Sequence, residues 1–338
     1  MLLKKLTECA AVSGNEKAMR NLLKEIFDEK NISYEVDRMG NLIAHKEGNK
    51  EKRVLIYTHM DEPGMMIYDV DSAGLLKFMK VGGLNEEALM SKQAVVGDDL
   101  IKGVLGAKAI HLQEPSERKR VLKSSSLYID IGANDKEDAE KYVKKGQYAS
   151  VCGPLRELEN GFVSGKYLES RVGISLIMDL IEEKSDLDIT FAFTTMHHVG
   201  NRGETVLIDN RDFDYSIGVC GAAAKDIEYA DKQGTQIEVT KGSGLKLIDG
   251  QTVYPRKVYN SIVEYLDEKN ISYQTLIEPR ERGGFGSIQK RSKEIKGTEI
   301  FVPVRYAKTP SSVMSMKDYE SALNILKTTL EGIEGGRI

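Results

Sequence analysis

The apolar positions of the chain follow two different periods. In several segments they recur every three to four residues, which places them on one face of a helix; these segments are residues 1–30, 172–182, 256–269 and 316–330. Short apolar runs rich in β-branched residues indicate strands; these runs are residues 32–36, 41–46, 53–57, 189–195, 215–219 and 301–304. Helices that alternate with buried strands predict an α/β fold of three layers, with a central sheet between helices.

The pattern changes between residues 69 and 162. Short alternating segments such as 75–78 and 126–131, many glycines and charged turns predict a small β-rich module, with one helix at 136–145. Because helix-and-strand segments lie on both sides of it, we expect this module to be inserted into the α/β domain. The predicted domains are therefore residues 1–68 together with 163–338, and the insertion 69–162.

Composition narrows the class of protein. The chain has 338 residues, of which 41% are hydrophobic and 30% charged, with a formal net charge of −4, so we expect neither a nucleic acid nor a membrane as partner. It contains no apolar run of transmembrane length and no signal-peptide core. Its three cysteines, Cys9, Cys152 and Cys220, are too few and too widely spaced for a disulfide framework. These features favour the cytoplasm.

The first candidate functional residues are His59 and Asp61, which follow the end of the strand 53–57. A strand end is a rigid platform that can aim two alternating side chains. His59 suits a metal ligand, with Asp61 as its orienting carboxylate. The alternative is a strand-terminal histidine that hydrogen-bonds a turn.

The surrounding residues carry a family resemblance. Residues 58–67 read Thr-His-Met-Asp-Glu-Pro-Gly-Met-Met-Ile, which resembles Ala-His-Met-Asp-Glu-Ile-Gly-Phe-Met-Val, the first metal motif of the TET/glutamyl aminopeptidase family of dinuclear metallopeptidases. The similarity extends over nearly the whole chain. It implies an α/β peptidase domain with an inserted β-barrel-like domain that builds homo-oligomers. It also implies release of amino-terminal residues from peptides by metal-activated water, so peptides or small amides are the expected ligands.

The resemblance fails at most of the positions that would hold the metals. The bridging Asp of the family corresponds to Glu169, and the general-base Glu and the next Glu correspond to His197 and His198. Cys220 stands in place of an Asp ligand, and Lys308 in place of a His ligand. Glu169 is one methylene longer than the aspartate of the family. It could bind one metal, or its negative charge could simply stabilise the amino end of a helix.

The other replacements leave alternatives open. His197 could act as a base, with Asp61 as the second candidate catalytic residue, or His197 and His198 could be polar fillers. Cys220 is a good zinc ligand as a thiolate, but a buried cysteine is more often an inert apolar residue. A protonated Lys308 cannot coordinate a metal.

Counting charges decides against the two-metal site of the family. Glu169, a thiolate at Cys220 and the cation Lys308 sum to about −1, which cannot offset two dications in a poorly solvated cleft. Two outcomes remain: one zinc held by His59, Glu169 and Cys220, with His198 or water as the fourth ligand, or a metal-free cavity in which Lys308 pairs with Glu169.

Each outcome implies a function. We predict a homologue that has lost the two-metal hydrolysis and keeps a binding or assembly role. The alternative is a peptide or amide hydrolase that uses one zinc or His197 as base.

Overall fold

The computed structural model describes residues 2–48, 52–115, 123–209, 211–228, 236–292 and 294–338. The helices in these residues are α1 Leu2–Glu8, α2 Lys17–Glu29, α3 Lys136–Ala139, α4 Leu168–Leu180, α5 Arg202–Val206, α6 Arg256–Glu268, α7 Phe285–Gln289 and α8 Met316–Glu334. The strands are β1 Tyr34–Val36, β2 Leu42–Lys46, β3 Arg53–His59, β4 Gly64–Val70, β5 Leu76–Val81, β6 Gln93–Val96, β7 Ile101–Ala107, β8 Leu127–Asp130, β9 Tyr148–Val151, β10 Arg156–Glu157, β11 Phe162–Gly165, β12 Asp188–Thr194, β13 Tyr215–Ala223, β14 Gly244–Asp249, β15 Gln274–Glu278, β16 Lys296–Val304 and β17 Ser312–Ser315. Among the described helices, none is both long and apolar enough to cross a lipid bilayer.

Eight strands form one large mixed sheet in the order β1-β2-β12-β3-β13-β16-β14-β15. Its central strands β12, β3, β13 and β16 are parallel, while β1 and β2 pair antiparallel at one edge. Strands buried on both faces read as continuous apolar runs, which is why the sequence predicts most of them. A second, three-stranded sheet has the order β10-β11-β17.

Strand β3 shows how the sheet buries both faces. Val54 and Ile56 point to a core that also contains apolar residues of α1, α2, α4, α6 and α8. Leu55 and Tyr57 point to the other face and pack with residues such as Phe285 of α7. The fold is thus the predicted three-layer α/β architecture, in which the helices α5 and α7 on the second face are short.

The remaining strands close a barrel in the order β4-β5-β8-β7-β6-β9. It has its own apolar core, to which alternate residues of the strands contribute, among them Met65, Ile67, Phe78, Val96, Leu105 and Ile129. This barrel is the predicted β-barrel-like unit. Its strands run from Gly64 to Val151, and the domain limits of 69 and 162 stay a prediction.

The helix predicted at 136–145 is wrong in length, because α3 ends at Ala139. Beyond it the chain makes tight turns, in which Lys141 and Tyr142 donate to the carbonyls three residues earlier. These turns bring Ala139 and Val143 together into the barrel core. Packing against the barrel end therefore overrides the helical propensity of this segment.

A buried ionic network joins the sheet to the barrel. Glu62, on the link between β3 and β4, is fully buried and pairs with the equally buried Arg171 of α4. Its carboxylate also accepts the ammonium of Lys166 at 2.9 Å and the hydroxyl of Ser150, on β9, at 2.5 Å. Because two cations and a hydroxyl satisfy one carboxylate, this network fixes α4 against the end of β3.

Candidate active-site cavity

The polar residues predicted from the sequence lie at one edge of the large sheet. The parallel strands β3, β12, β13 and β16 place their carboxyl ends at this edge. A cavity of about 690 Å³ opens there. Its lining includes six of the seven predicted site residues, namely His59, Glu169, His197, His198, Cys220 and Lys308. The fold therefore brings these residues together from distant parts of the sequence.

Asp61, the seventh, lies behind the cavity wall and organises it. Its fully buried carboxylate accepts the backbone N–H of His197 at 3.1 Å and of His198 at 3.0 Å. The hydroxyl of Ser13 donates to the same carboxylate at 2.5 Å. Burial alone would raise the pKa of Asp61, but the hydrogen bond with His59 and the nearby imidazoles lower it far below its usual value. Asp61 is thus an anion that fixes the loop after β12.

Three imidazole rings form a cluster in the cavity. The rings of His59 and His197 stack with centroids 4.2 Å apart, and the ring of His198 stands nearly perpendicular to both. Nδ1 of His59 lies 3.1 Å from the backbone oxygen of Asp61 and 3.5 Å from its carboxylate. Nε2 of His198 lies 3.3 Å from the hydroxyl of Ser170. Burial lowers the pKa of both His59 and His198, so both rings are neutral at pH 7.

His197 has a carboxylate partner of its own. Its Nδ1 lies 2.6 Å from Oε1 of Glu204, a buried residue of α5. The hydroxyl of Thr194 donates to the same oxygen at 3.0 Å. Burial would lower the pKa of His197, but the charge of Glu204 raises it above the usual value. An imidazole held by a carboxylate in this way is suited to accept and release a proton.

The hydrogen bond between Glu169 and Lys308 uses the backbone of Lys308 and not its ammonium. The backbone N–H of Lys308 donates to Oε1 of Glu169 at 2.8 Å, whereas its ammonium donates to Oε1 of Glu281 at 2.9 Å. The predicted side-chain pairing of Lys308 with Glu169 is therefore wrong, because only the backbone of Lys308 faces that carboxylate. Oε2 of Glu169 is buried without a hydrogen-bond partner among the described residues. Burial raises the pKa of Glu169 to about 7.

The beginning of α4 packs directly on β13. A Cβ at Gly221 would lie 2.5 Å from Cα of Glu169, so this approach requires glycine. The neighbouring Cys220 lines the cavity, and burial raises the pKa of its thiol to about 11. The ammonium of Lys246 lies 2.5 Å from Glu299, and this buried ion pair lines the same cavity. Cys220 is thus a neutral thiol at pH 7, beside an internal ion pair.

The barrel contributes to one side of the cavity. A Cβ at Gly82, just after β5, would lie 2.8 Å from Cβ of His198. At Gly83 it would lie 4.0 Å from Nζ of Lys308. The loop after β5 therefore contacts two of the predicted site residues.

The sequence-based prediction misses the charged residues Glu204, Lys246, Glu281 and Glu299, which also line the cavity. Glu204 could have been found, because an acid seven residues after His197 begins the next helix and can turn back to it. The other three carry no motif, and only the folded chain brings them to this edge of the sheet.

The predicted metal ligands that line the cavity are the imidazoles of His59 and His198, the carboxylate of Glu169 and the thiol of Cys220. Within the described ranges, no group of three or more His, Cys, Asp and Glu side chains is arranged to hold a metal ion. The single zinc predicted from the sequence stays a prediction, as do the roles of the seven residues.

Most of the chain matches the sequence profile of a known family. The sequence profile described as M42 glutamyl aminopeptidase matches residues 40–325. The chain belongs to this family. The resemblance identified from the motifs is thereby confirmed, and the family relationship is that of aminopeptidases.

Individual relatives support the same assignment. This M42 chain is 33% identical to a protein of Acetivibrio thermocellus that is named, provisionally, as an aminopeptidase, with 96% of each chain covered. It superposes on an aminopeptidase from the archaeon Desulfurococcus kamchatkensis with a TM-score of 0.91 and 27% identity, covering 98% of this chain and 93% of the other. The TET1 peptidase of Pyrococcus horikoshii, which can assemble into a tetrahedron or a large octahedral shell, gives a TM-score of 0.85 at 27% identity, covering 96% and 97%.

Proposed function

We propose that this M42 protein binds the amino terminus of short peptides in the cavity, has lost the two-metal hydrolysis of peptides, and assembles into a homo-oligomer. The observation that carries the proposal is the position of Lys308. Its ammonium stands at the position of a metal-binding histidine in the family pattern and is paired with Glu281. An ammonium has no lone pair for a metal, and its charge repels a dication placed nearby.

The other residues of the cavity do not fit two dications. Glu169 is the carboxylate that remains at a ligand position, whereas the carboxylates of Glu204, Glu281 and Glu299 are paired with His197, Lys308 and Lys246, respectively. The imidazoles and a neutral thiol add no negative charge. Two dications would therefore leave a large uncompensated positive charge in a buried site. No step of the proposed function passes through a metal.

Glu169 supports the binding role. Glu169 lines the cavity, and its Oε2 is buried and has no hydrogen-bond donor among the described residues. A buried carboxylate oxygen without a donor is costly, and the α-ammonium of a peptide would satisfy it. The cavity of about 690 Å³ lies within the roughly 300–1,000 Å³ typical of sites for small ligands.

The assembly role rests on the barrel and on one relative. Three large apolar side chains on the barrel strands are exposed, namely Tyr68, Met79 and Val104. The related TET1 peptidase can assemble into a tetrahedron or a large octahedral shell. Light scattering after size exclusion tests this role: we expect an oligomer that Met79→Lys dissociates, and a monomeric wild-type chain would contradict it.

Peptide binding is tested with tetra-alanine carrying a free or an N-acetylated amino terminus. By titration calorimetry we expect the free amine to bind at least about tenfold more tightly, and Glu169→Gln to remove that difference. The variant Glu183→Gln, at an exposed carboxylate, is the matched control. Equal affinity for the two peptides would contradict recognition of the amine.

Loss of hydrolysis is tested on the same protein. After purification without chelator, we expect no release of alanine with zinc or cobalt added. Release that a chelator abolishes and zinc restores would overturn this part of the proposal.

The contact between His197 and Glu204 favours a second candidate function, the hydrolysis of a peptide or another amide with His197 as base. It predicts chelator-resistant hydrolysis that both His197→Ala and Glu204→Gln abolish. Activity that requires zinc and is lost in Cys220→Ala would instead indicate one zinc at His59, Glu169 and Cys220.

A further inference from the structure

The mouth of the cavity is lined by basic side chains. Arg280 and Arg282 lie on the loop after β15, and Lys290 and Arg291 follow α7. All four are exposed, in contrast to the buried Glu169 inside the same cavity. The two ends of the cavity therefore differ in charge, because a carboxylate lies at its inner end and cations line its mouth.

Three of these cations, Arg282, Lys290 and Arg291, are poorly neutralised among the described residues, unlike the lysines deeper in the cavity. Lys246 and Lys308 have carboxylate partners at 2.5 and 2.9 Å. Arg291 is 3.8 Å from the nearest oxygen of Asp209, and both side chains are about half exposed. For Arg282 and Lys290, the described part of the chain offers no ion-pair or hydrogen-bond partner. Unpaired cations at the rim of a cleft raise the local concentration of anions.

We propose that this basic rim binds a carboxylate carried by the part of the peptide that follows its amino-terminal residue. The inference rests on the proposed binding of peptide amino termini, because Glu169 then fixes the direction of the ligand. With the α-ammonium at Glu169, the rest of the peptide leaves through the mouth, past Arg282 and Lys290. Arginine binds carboxylates in a planar, two-point geometry, and lysine adds a charge from a flexible stem.

The carboxylate has two sources, an acidic side chain or the free carboxyl terminus of a short peptide. The peptides Ala-Ala-Ala-Ala, Ala-Ala-Glu-Ala and Ala-Ala-Lys-Ala, each with a free or an amidated carboxyl terminus, separate them. We expect the amidated Glu peptide to bind at least about tenfold more tightly than the amidated Lys peptide. Amidation of tetra-alanine measures the contribution of the carboxyl terminus alone.

The double variant Arg282→Gln with Lys290→Gln tests the residues. Both side chains are exposed, so the fold should tolerate the change, which thermal unfolding checks. We expect the discrimination between carboxylate-bearing and neutral peptides to vanish while amidated tetra-alanine binds as before. Lys257→Gln, on the exposed face of α6 and away from the cavity, is the matched control and should keep the discrimination.

The outcomes separate the two proposals. Peptides that bind without preference for a carboxylate, or with a preference that the double variant retains, overturn the inference and leave peptide binding intact. No binding of any of the peptides overturns both. A preference that weakens in high salt and is lost in the double variant supports the inference, since exposed charges are screened by salt.

Discussion

The ammonium of Lys308 lies 2.9 Å from a carboxylate oxygen of Glu281 in the cavity. The two residues come from different loops, after β16 and after β15. This ammonium has no lone pair for a metal, and it also occupies a carboxylate that could otherwise attract a cation. Both effects disfavour a second dication at this edge of the sheet.

Metal uptake should respond when ligands are restored. We expect less than one zinc per wild-type chain after dialysis against zinc, measured by elemental mass spectrometry. The double variant Lys308→His with His198→Glu should bind at least about one zinc more, because it replaces a cation with an imidazole and adds a carboxylate.

Lys308→Met is the control for that experiment, since it removes the charge without adding a ligand. It should also change the free energy of unfolding by less than about 1 kcal/mol, because the side chains of Lys308 and Glu281 are 33% and 38% exposed. Equal zinc content in the double variant and the control would show that the site cannot be rebuilt from these positions.

The buried network around Glu62 should be far more important for stability than any surface ion pair. Glu62→Gln leaves Arg171 and Lys166 buried with reduced compensation, so we expect a loss of about 3–5 kcal/mol in the free energy of unfolding by denaturant. Glu183→Gln, which breaks the exposed pair with Lys327, should cost less than about 1 kcal/mol. Similar losses in the two variants would refute the assigned role of the network.

The fold is predicted well from the sequence because residues of the recognised motifs are also residues that pack the helices against the sheet. Gly173 belongs to a segment that matches the family pattern, and a Cβ there would lie 2.2 Å from Oγ1 of Thr58 and 2.3 Å from the carbonyl oxygen of Val219. Glu62 and Arg171, which also match the pattern, form the buried network. These residues hold α4, β3 and β13 together, so the motif positions that carry the resemblance are also packing positions.

The site is only partly predictable, for a physical reason. The position of His59 and Cys220 follows from the strand ends, since parallel strands share an edge. The partner of Lys308 does not follow, because Glu281 lies on a loop without a motif. Similarly, Asp61 reads as an orienting carboxylate for His59, but its oxygens mainly accept the N–H groups of His197 and His198. Such partners depend on loop geometry, which no period in the sequence encodes.

The free energy of unfolding at low pH should depend on the buried ion pair of Glu299 and Lys246. Burial would raise the pKa of Glu299, but Lys246 and further donors lower it from about 4.5 to about 2. Because the pKa of Glu299 is lower in the folded than in the unfolded chain, its ionised form stabilises the fold at pH values above about 4.5. This stabilisation is lost as the pH falls from about 4.5 to about 2. Its size is on the order of 3 kcal/mol.

The double variant Glu299→Gln with Lys246→Met removes both charges and should therefore flatten the fall in unfolding free energy across this acid range. At pH 7 it should stay within about 2 kcal/mol of the wild type, because replacing a whole buried pair costs less than breaking it. Denaturant unfolding at several pH values measures both. An unchanged acid slope would mean that Glu299 does not titrate with the shifted pKa.

Thr240 holds a backbone conformation that does not suit a β-branched residue. Its φ is +75°, in the left-handed region that costs L-residues roughly 1–2 kcal/mol. Its N–H donates to buried Asp318 at 2.7 Å, which explains why the turn keeps this shape, and its side chain is exposed. Thr240→Gly keeps the N–H and loses no packing, so we expect a gain of about 1 kcal/mol in the free energy of unfolding. Gly242→Ala, at φ +86° in the same turn, should lose about as much, and a loss in both variants would mean that the Thr240 side chain itself stabilises the turn.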